Sequence, residues 1–442
     1  MRHILIILSI LLLFSSIFIS CKSTDSTTST DNTTTTDTTP TSPWTKQLGS
    51  ISRDSGLGVT TDSSGNIYVT GETYGGLDGN TNSGSNDIFL VKYNSSGTKQ
   101  WTEQLGSISR DYGQGVTTDS SGNIYVTGLT NGGLDGNSNS GNTDIFLVKY
   151  NSSGTKQWTE QLGTVYNDHG EGVTTDSSGN IYVTGSTDGG LVDGNTNSSN
   201  SNTFIVKYNS SGIRQWTKQF GSYSIGHGIT TDSSGNIYVT GRTNRGLHGN
   251  TDLGSSDIFL VKYDSSGIRQ WTKQLGTSSD EWGKDVTTDS SGNIYVTGFT
   301  SGGLHGNTNS GSSDIFLVKY NSSGMRQWTK QLGTSSSDSG LGVTTDSSGN
   351  IYVTGTTEGG LDGNTDSGSS DIFLVKYNSS VTKQWTEQLG EEYLDDVGSG
   401  VTTDSSGNIY VTGYTYGGLD GNTNSGSSDI FLVKYNSSGI NQ

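Results

Sequence analysis

An all-β fold, a single seven-bladed β-propeller of four-stranded antiparallel blades, is what this sequence predicts, and three observations carry the expectation. A unit of about 57 residues recurs seven times along the chain. Each unit holds four short strand-like segments separated by turn residues. The repeat also begins out of phase, with an orphan copy of the fourth segment at residues 44–49, whereas the last unit stops at Asn441-Gln442 without one.

Composition supports strands over helices. The 442 residues include 66 glycines and no alanine, and Ser, Thr and Asn fill most remaining positions. A chain without the best helix former, rich in Gly and β-branched Thr, favours short strands and tight turns. Hydrophobic residues make up only 28%, a low share for a folded chain, but they are gathered into short clusters that return in every unit.

The tryptophans at 44, 101, 158, 216, 271, 328 and 385 mark the register, with spacings of 57, 57, 58, 55, 57 and 57 residues. In the second copy the first segment is GVTTD (115–119) and the second is IYVTG (124–128). The third is DIFLVKY (144–150) and the fourth is KQWTEQLG (156–163). Asp119-Ser-Ser-Gly122-Asn123 and Asn151-Ser-Ser-Gly154 join neighbouring segments, with Gly where a hairpin needs positive φ. The third segment is apolar on both faces, as a strand covered by neighbours on both sides must be. The orphan segment 44–49 is expected to pair with 429–435, completing blade seven and removing the open edges.

The strings DSSGNIYVTG, DGNTNSG, DIFLVKYNSSG and QWTKQLG resemble the SBBP family, a seven-bladed β-propeller repeat of bacterial surface proteins. The resemblance covers residues 44–442 and recurs seven times. It implies the fold, and it implies neither an agreed activity nor catalytic residues.

Ahead of the repeats, residues 1–20 read as an export signal, with Arg2 followed by the apolar run Ile4 to Ile19. Ser20-Cys21-Lys22 resembles a bacterial lipoprotein signal, so Cys21, the only cysteine, is the expected lipidation site and mature N-terminus. The Ser, Thr, Asp and Asn of residues 22–43 cannot bury a core and are expected to form a disordered tether. Its root-mean-square reach is about 25 Å. The expected location is the bacterial cell envelope, lipid-anchored at the outer membrane or cell surface, with the membrane met through the lipid alone.

A formal charge of −18 repels phosphate backbones, which excludes nucleic acid as a partner. One cysteine excludes internal disulfides and CxxC metal sites. No nucleophile motif, HExxH or phosphate loop appears, so catalysis has little support. With the four segments of a unit labelled A to D in order, the A–B and C–D turns should lie on one face of the disc and the B–C and D–A loops on the other. The second face carries most of the variation between copies, including Tyr112, His169, His227, Arg242, Trp282, Phe299, Tyr393 and Tyr414. Repeats that must pack alike yet differ on one face suggest contact with an asymmetric protein or glycan there. The reading is therefore a tethered binding or scaffold propeller; the alternatives are a periplasmic assembly scaffold and, last, an enzyme on the same face.

One polar constellation repeats. The B–C loops contain Asp78/Asn80/Asn82/Asp87, Asp135/Asn137/Asn139/Asp144, Asp362/Asn364/Asp366/Asp371 and Asp420/Asn422/Asn424/Asp429. Alternating oxygen side chains, then Gly and a closing Asp, resemble calcium loops, making Ca²⁺ the one cofactor candidate. His248 and His305 replace the first Asp in two blades; blade three has an inserted Val192, and Thr203 is read in place of the closing Asp. The competing expectation is that these Asp and Asn residues cap their own turns.

Overall fold

The structure, a computed structural model, describes residues 44–191 and 200–442. The signal, Cys21, the tether and the Val192 insertion of blade three lie outside the described residues. Within them the chain forms seven four-stranded antiparallel sheets. Blade one is Asp54–Thr61, Ile67–Thr73, Asp87–Tyr93 and Lys99–Leu105. The next five blades repeat that order. Blade seven takes three strands from the end of the chain, Asp396–Thr403, Ile409–Thr415 and Asp429–Tyr435, and its outer strand, Thr45–Leu48, from the beginning. The pairing runs antiparallel from Thr45 opposite Val433 to Leu48 opposite Ile430. The expected closure of the ring is thus observed.

The strand alternation explains how blades hold one another. In Asp87–Tyr93, Ile88 and Leu90 point toward blade two and pack with Ile124, Val126 and Phe146. Phe89 and Val91 point the other way and pack with Tyr410, Ile430 and Leu432 of blade seven. Period-2 side-chain direction gives each face of an apolar strand to a different neighbour. Seven such clusters, each built mainly from two adjacent blades, make up the core.

Two rings of hydrogen bonds reinforce the packing. The hydroxyl of each Thr that ends an innermost strand donates to the carbonyl of the corresponding Thr one blade back. Thr118 bonds Thr61, Thr175 bonds Thr118, Thr231 bonds Thr175 and Thr288 bonds Thr231. Thr345 bonds Thr288, Thr403 bonds Thr345, and Thr61 closes the circle on Thr403, all at 2.9–3.2 Å. At the other end of the same strands, the first backbone N–H donates to the loop carbonyl of the preceding blade. Asp111 bonds Asn86 at 3.1 Å, and Asp54 crosses the seam to Ser428 at 2.9 Å.

The uniform face is uniform for structural reasons. In Asp62-Ser-Ser-Gly-Asn-Ile-Tyr68 the Asp62 carboxylate accepts from the N–H groups of Ser64 and Asn66, the Asn66 amide and the Tyr68 hydroxyl, at 2.8–2.9 Å. Burial alone would raise the Asp62 pKa; these bonds outweigh it and hold it below the usual carboxylate range. The same bonds recur at Asp119 and in every later blade. Each NSSG turn places its Gly at positive φ against the Trp of the preceding blade: a Cβ on Gly97 would stand 2.2 Å from the Trp44 ring. Blade six departs from this pattern, with Val381 held at φ 69°, a conformation costly for a β-branched residue.

The structure corrects two details of the sequence reading. The innermost strands begin four residues earlier than the segment GVTTD, as in Asp111–Thr118, so the D–A loops are shorter than their variable sequence suggests. In blade three the residue aligned with the closing Asp is Asn202, the first of the strand Asn202–Tyr208; Thr203 stands where other blades carry Ile.

Deleting Trp44–Gly49 removes a paired strand and the Trp44 ring, which meets Tyr410 edge-on at 6.0 Å. Truncating a fully buried Trp costs about 3–5 kcal/mol; Trp44, half-buried, contributes part of that and the lost strand pairing adds to it. The deletion is expected to lower the melting temperature steeply, whereas removing Thr33–Thr38 leaves it nearly unchanged. Calorimetry on the two deletions checks this, and equal shifts would mean the strand does not close the ring.

Candidate functional site

The variable residues gather around the central channel. Each innermost strand carries a β-bulge: in blade one the register against the second strand slips between Gly56 and Gly58. A bulge re-aims the side chain of its extra residue, and here that residue lines the channel. Going round the ring, the bulge position is Leu57, Gln114, Glu171, His227, Lys284, Leu341 and Ser399. Six residue types in seven copies line a channel of about 200 Å³.

One step toward the B–C and D–A face, a cross-strand pair in each blade also varies. The pairs are Ser55 with Glu72, Tyr112 with Leu129, His169 with Ser186 and Ile225 with Arg242. Trp282 pairs with Phe299, Ser339 with Thr356 and Val397 with Tyr414. Tyr112, His169 and Trp282 therefore stand on strands around the channel mouth and not in the loops the sequence suggests, beside Arg242, Phe299 and Tyr414 at the ends of the second strands. His227 lies deeper, on the channel wall, and Tyr393 lies apart in the last D–A loop, 83% exposed.

Blades three to five concentrate the chemistry. The Arg242 guanidinium lies 4.0 Å from the Trp282 ring centre and the Lys284 ammonium 4.7 Å from it, while the His227 ring lies nearly parallel to Trp282 at 6.3 Å. Phe299 meets Trp282 at 5.2 Å. Burial, with repulsion from Lys284 and Arg242, pushes the His227 pKa well down, so the ring is neutral. Burial, opposed by Lys284, raises the Glu171 carboxyl to about 7, and burial raises Asp285 to about 6 against bonds from the Val343 and Val286 N–H groups. Sequence reading missed Glu171, Lys284 and Asp285. The available signal was the single position before Gly or Asp285 that differs between nearly all copies.

The same face carries exposed apolar side chains. Ile51 and Ile108, at equivalent places in consecutive D–A loops, are each 90% exposed, and Val165 is 68% exposed in the next. The opposite face has its own exposed row at the C–D turns, Ile213, Ile268 and Met325.

The B–C loops use most of their polar groups internally. Asp78, at φ 53°, pairs with Lys99 and accepts from Thr102. Asp135 does the same with Lys156 and Thr159, and Asp362 with Lys383 and Thr386. Where the partner is Arg269 or Arg326, the residue is His248 or His305, whose Nδ1 lies 2.9 Å from the hydroxyl of Thr272 or Thr329. Asn80, Asn137, Asn364 and Asn422 donate their amides to backbone carbonyls at the start of their own loops, and Asn82, Asn139 and Asn424 donate to the carbonyl eight residues before. Asp87, Asp144, Asp371 and Asp429 accept from a loop N–H and a Gln amide. Asp420 accepts from Thr45 and Asn441. Among the described residues no three His, Cys, Asp or Glu side chains converge as a metal site requires; Asp366 belongs to one of these loops, at its exposed surface.

These bonds use one oxygen of each closing Asp and leave the other, Oδ1 of Asp87, Asp144, Asp371 and Asp429, buried without a hydrogen-bond partner. If the Asp and Asn residues only cap their own turns, millimolar Ca²⁺ leaves the melting temperature unchanged within about 1 °C, since only a ligand bound to the folded state raises it. A rise of several degrees with Ca²⁺ and not Mg²⁺, abolished in Asp362→Ala/Asp371→Ala, would establish calcium.

Comparison with known proteins places this geometry. An uncharacterized WD repeat-containing protein of Acanthamoeba polyphaga mimivirus is 26% identical over 427 residues, covering 71% of this chain and 31% of that protein. The regulatory protein FlaEY of Caulobacter vibrioides is 27% identical over 188 residues, 38% of this chain and 20% of that protein. The chain thus spans less than a third of the length of either relative. Among solved structures, virginiamycin B lyase from Staphylococcus aureus overlays with a TM-score of 0.47 at 13% identity, covering 88% of this chain and 98% of that chain. Polysaccharide lyase Uly1 overlays with a TM-score of 0.49 at 12% identity, over 86% and 90% of the two chains. Overlays this loose say nothing about activity. The SBBP beta-propeller repeat matches residues 44–78, 100–135, 157–191, 215–247, 270–305, 327–362 and 384–420, one stretch for each Trp of the repeat register and more than half of the sequence. With seven matched stretches and seven blades, the chain belongs to the SBBP beta-propeller repeat family.

Proposed function

We propose that this protein is a binding propeller, tethered to a bacterial membrane through a lipid on Cys21, that engages a protein or glycan through the face at the channel mouth. The observation that carries the reading is where the blades differ. Packing holds the inter-blade clusters and the Asp62-type turns constant, yet the bulge residue and the pair beside it change from blade to blade. A sevenfold scaffold that needed only to be stable gains nothing from six residue types among seven copies of one position. An asymmetric partner does, because it meets each blade in a different environment. The exposed Ile51, Ile108, Val165 and Tyr393 supply apolar contact area on the same face.

Site-directed photo-cross-linking in cells tests the face. Adducts are expected from Ile108 and Tyr393, and not from Ser120 on the opposite turns. Adducts confined to Ile268 would transfer the interface to the other side of the disc, and none at any position would remove the binding reading.

The anchor is tested separately. Cys21→Ala is expected to move the protein from the detergent phase to the aqueous phase. Unchanged partitioning of the variant would remove the lipid.

A further inference from the structure

Two cations, Lys284 on the channel wall and Arg242 at its mouth, form no close ion pair. Among the described residues the ion pairs within 4.0 Å are Arg53–Glu72, Lys99–Asp78, Lys156–Asp135 and Lys383–Asp362. Arg242 and Lys284 appear in none, in a chain with 42 acidic residues. Both instead lie against the Trp282 ring; burial lowers the pKa of each, opposed at longer range by Glu171 for Lys284 and by Asp280 for Arg242, and Arg242 lowers Lys284 further. The Nε of Arg242 and the Nε2 of His227 are buried without a hydrogen-bond partner. Buried polar groups are nearly always satisfied, and neighbouring buried cations repel one another. A cluster with both defects is completed by an anion.

The rest of the channel narrows the kind of anion. Opposite blades three to five, blades six, seven and one contribute Leu341, Ser399 and Leu57. The channel therefore has a charged arc and a largely apolar arc enclosing about 200 Å³. That space suits a compact ligand with one anionic end and an apolar body. A planar carboxylate matches the guanidinium fork of Arg242, with the Lys284 ammonium as a second contact.

We propose that the channel binds a small organic carboxylate, its head held by Arg242 and Lys284 beside His227 and its apolar body turned toward Leu57 and Leu341. The ligand enters the same molecule as the partner on the outer face but does not depend on it: cross-linking and ligand titration succeed or fail separately.

Calorimetric titration of the full chain with phenylacetate and isovalerate, beside phenylacetamide, isovaleramide and inorganic phosphate, tests the proposal. The expected result is saturable binding of at least one carboxylate at millimolar concentration or below, with its amide at least tenfold weaker. Arg242→Gln and Lys284→Gln, checked for folding by their melting transitions, are each expected to weaken the carboxylate at least tenfold. Using two variants keeps the test decisive if one fails to fold. Equal affinity for acid and amide, no binding of either carboxylate, or unchanged binding in both variants would overturn the site. Binding of phosphate in preference to both carboxylates would overturn the assignment of ligand class.

Discussion

No blade of this protein can bury its own apolar strand. Ile88 and Leu90 need blade two, and Phe89 and Val91 need blade seven, so each sheet is stable only between two others. Everything else follows from that mutual dependence. Removing apolar surface from water is the dominant favourable term, at about 25 cal/mol per Å², and a row of such sheets leaves its two end faces wet until it meets itself. The threonine ring and the backbone ring are the polar counterpart: each bond reaches one blade back, and each series returns to its starting blade.

This dependence divides the surface into fixed and free positions. Residues facing a neighbour, or holding a turn as Asp62 does for Asn66 and Tyr68, are constrained in every copy. Residues aimed into the channel by the bulge touch no blade core, so Leu57, Gln114 and Glu171 can succeed one another at the same place. The fold therefore supplies seven independent choices around one opening, all positioned by rigid strands. Seating those choices on strands fixes their mutual geometry better than loops could.

The architecture was legible in the sequence because the repeat states it seven times: the Trp register, the paired turns and the orphan segment at 44–49 are all visible without coordinates. The site was only partly legible. Tyr112 and Trp282 were recognised as variable, but they read as loop residues, because a strand that opens with Asp111-Tyr-Gly carries the turn-forming residues of a loop. The bulge left no mark of its own in the sequence, so Glu171 and Lys284 passed unnoticed beside His227. The calcium pattern failed to discriminate for a different reason. Oxygen-rich loops satisfy their own backbone with the same residue types that bind cations. In five blades the first loop residue matches the outer strand, Asp with Lys in blades one, two and six and His with Arg in blades four and five, as in Asp78 with Lys99 and His248 with Arg269.

The seam has a further consequence. In blade one Lys99 pairs with Tyr93 and Trp101 with Lys92 within a single continuous strand. In blade seven Asn441 takes the place opposite Tyr435, and Trp44 bonds Lys434 from the far end of the chain. The outer strand of that blade is assembled from both termini, and the Asn441 side chain bridges the break, accepting from the Trp44 N–H and donating to Asp420. During synthesis the N-terminal strand emerges first and then meets six copies of DIFLVKY, with nothing in that string to tell them apart. What singles out the right copy is occupancy: in the other blades the site is filled by a strand already joined through a short turn, a local event far faster than joining distant ends. Only the seventh is left vacant, and there Asn441 acts as a latch. A chain that reached the vacant edge of a second molecule instead would make the same bonds, so the correctness of the ring is a matter of local concentration and timing as much as of sequence.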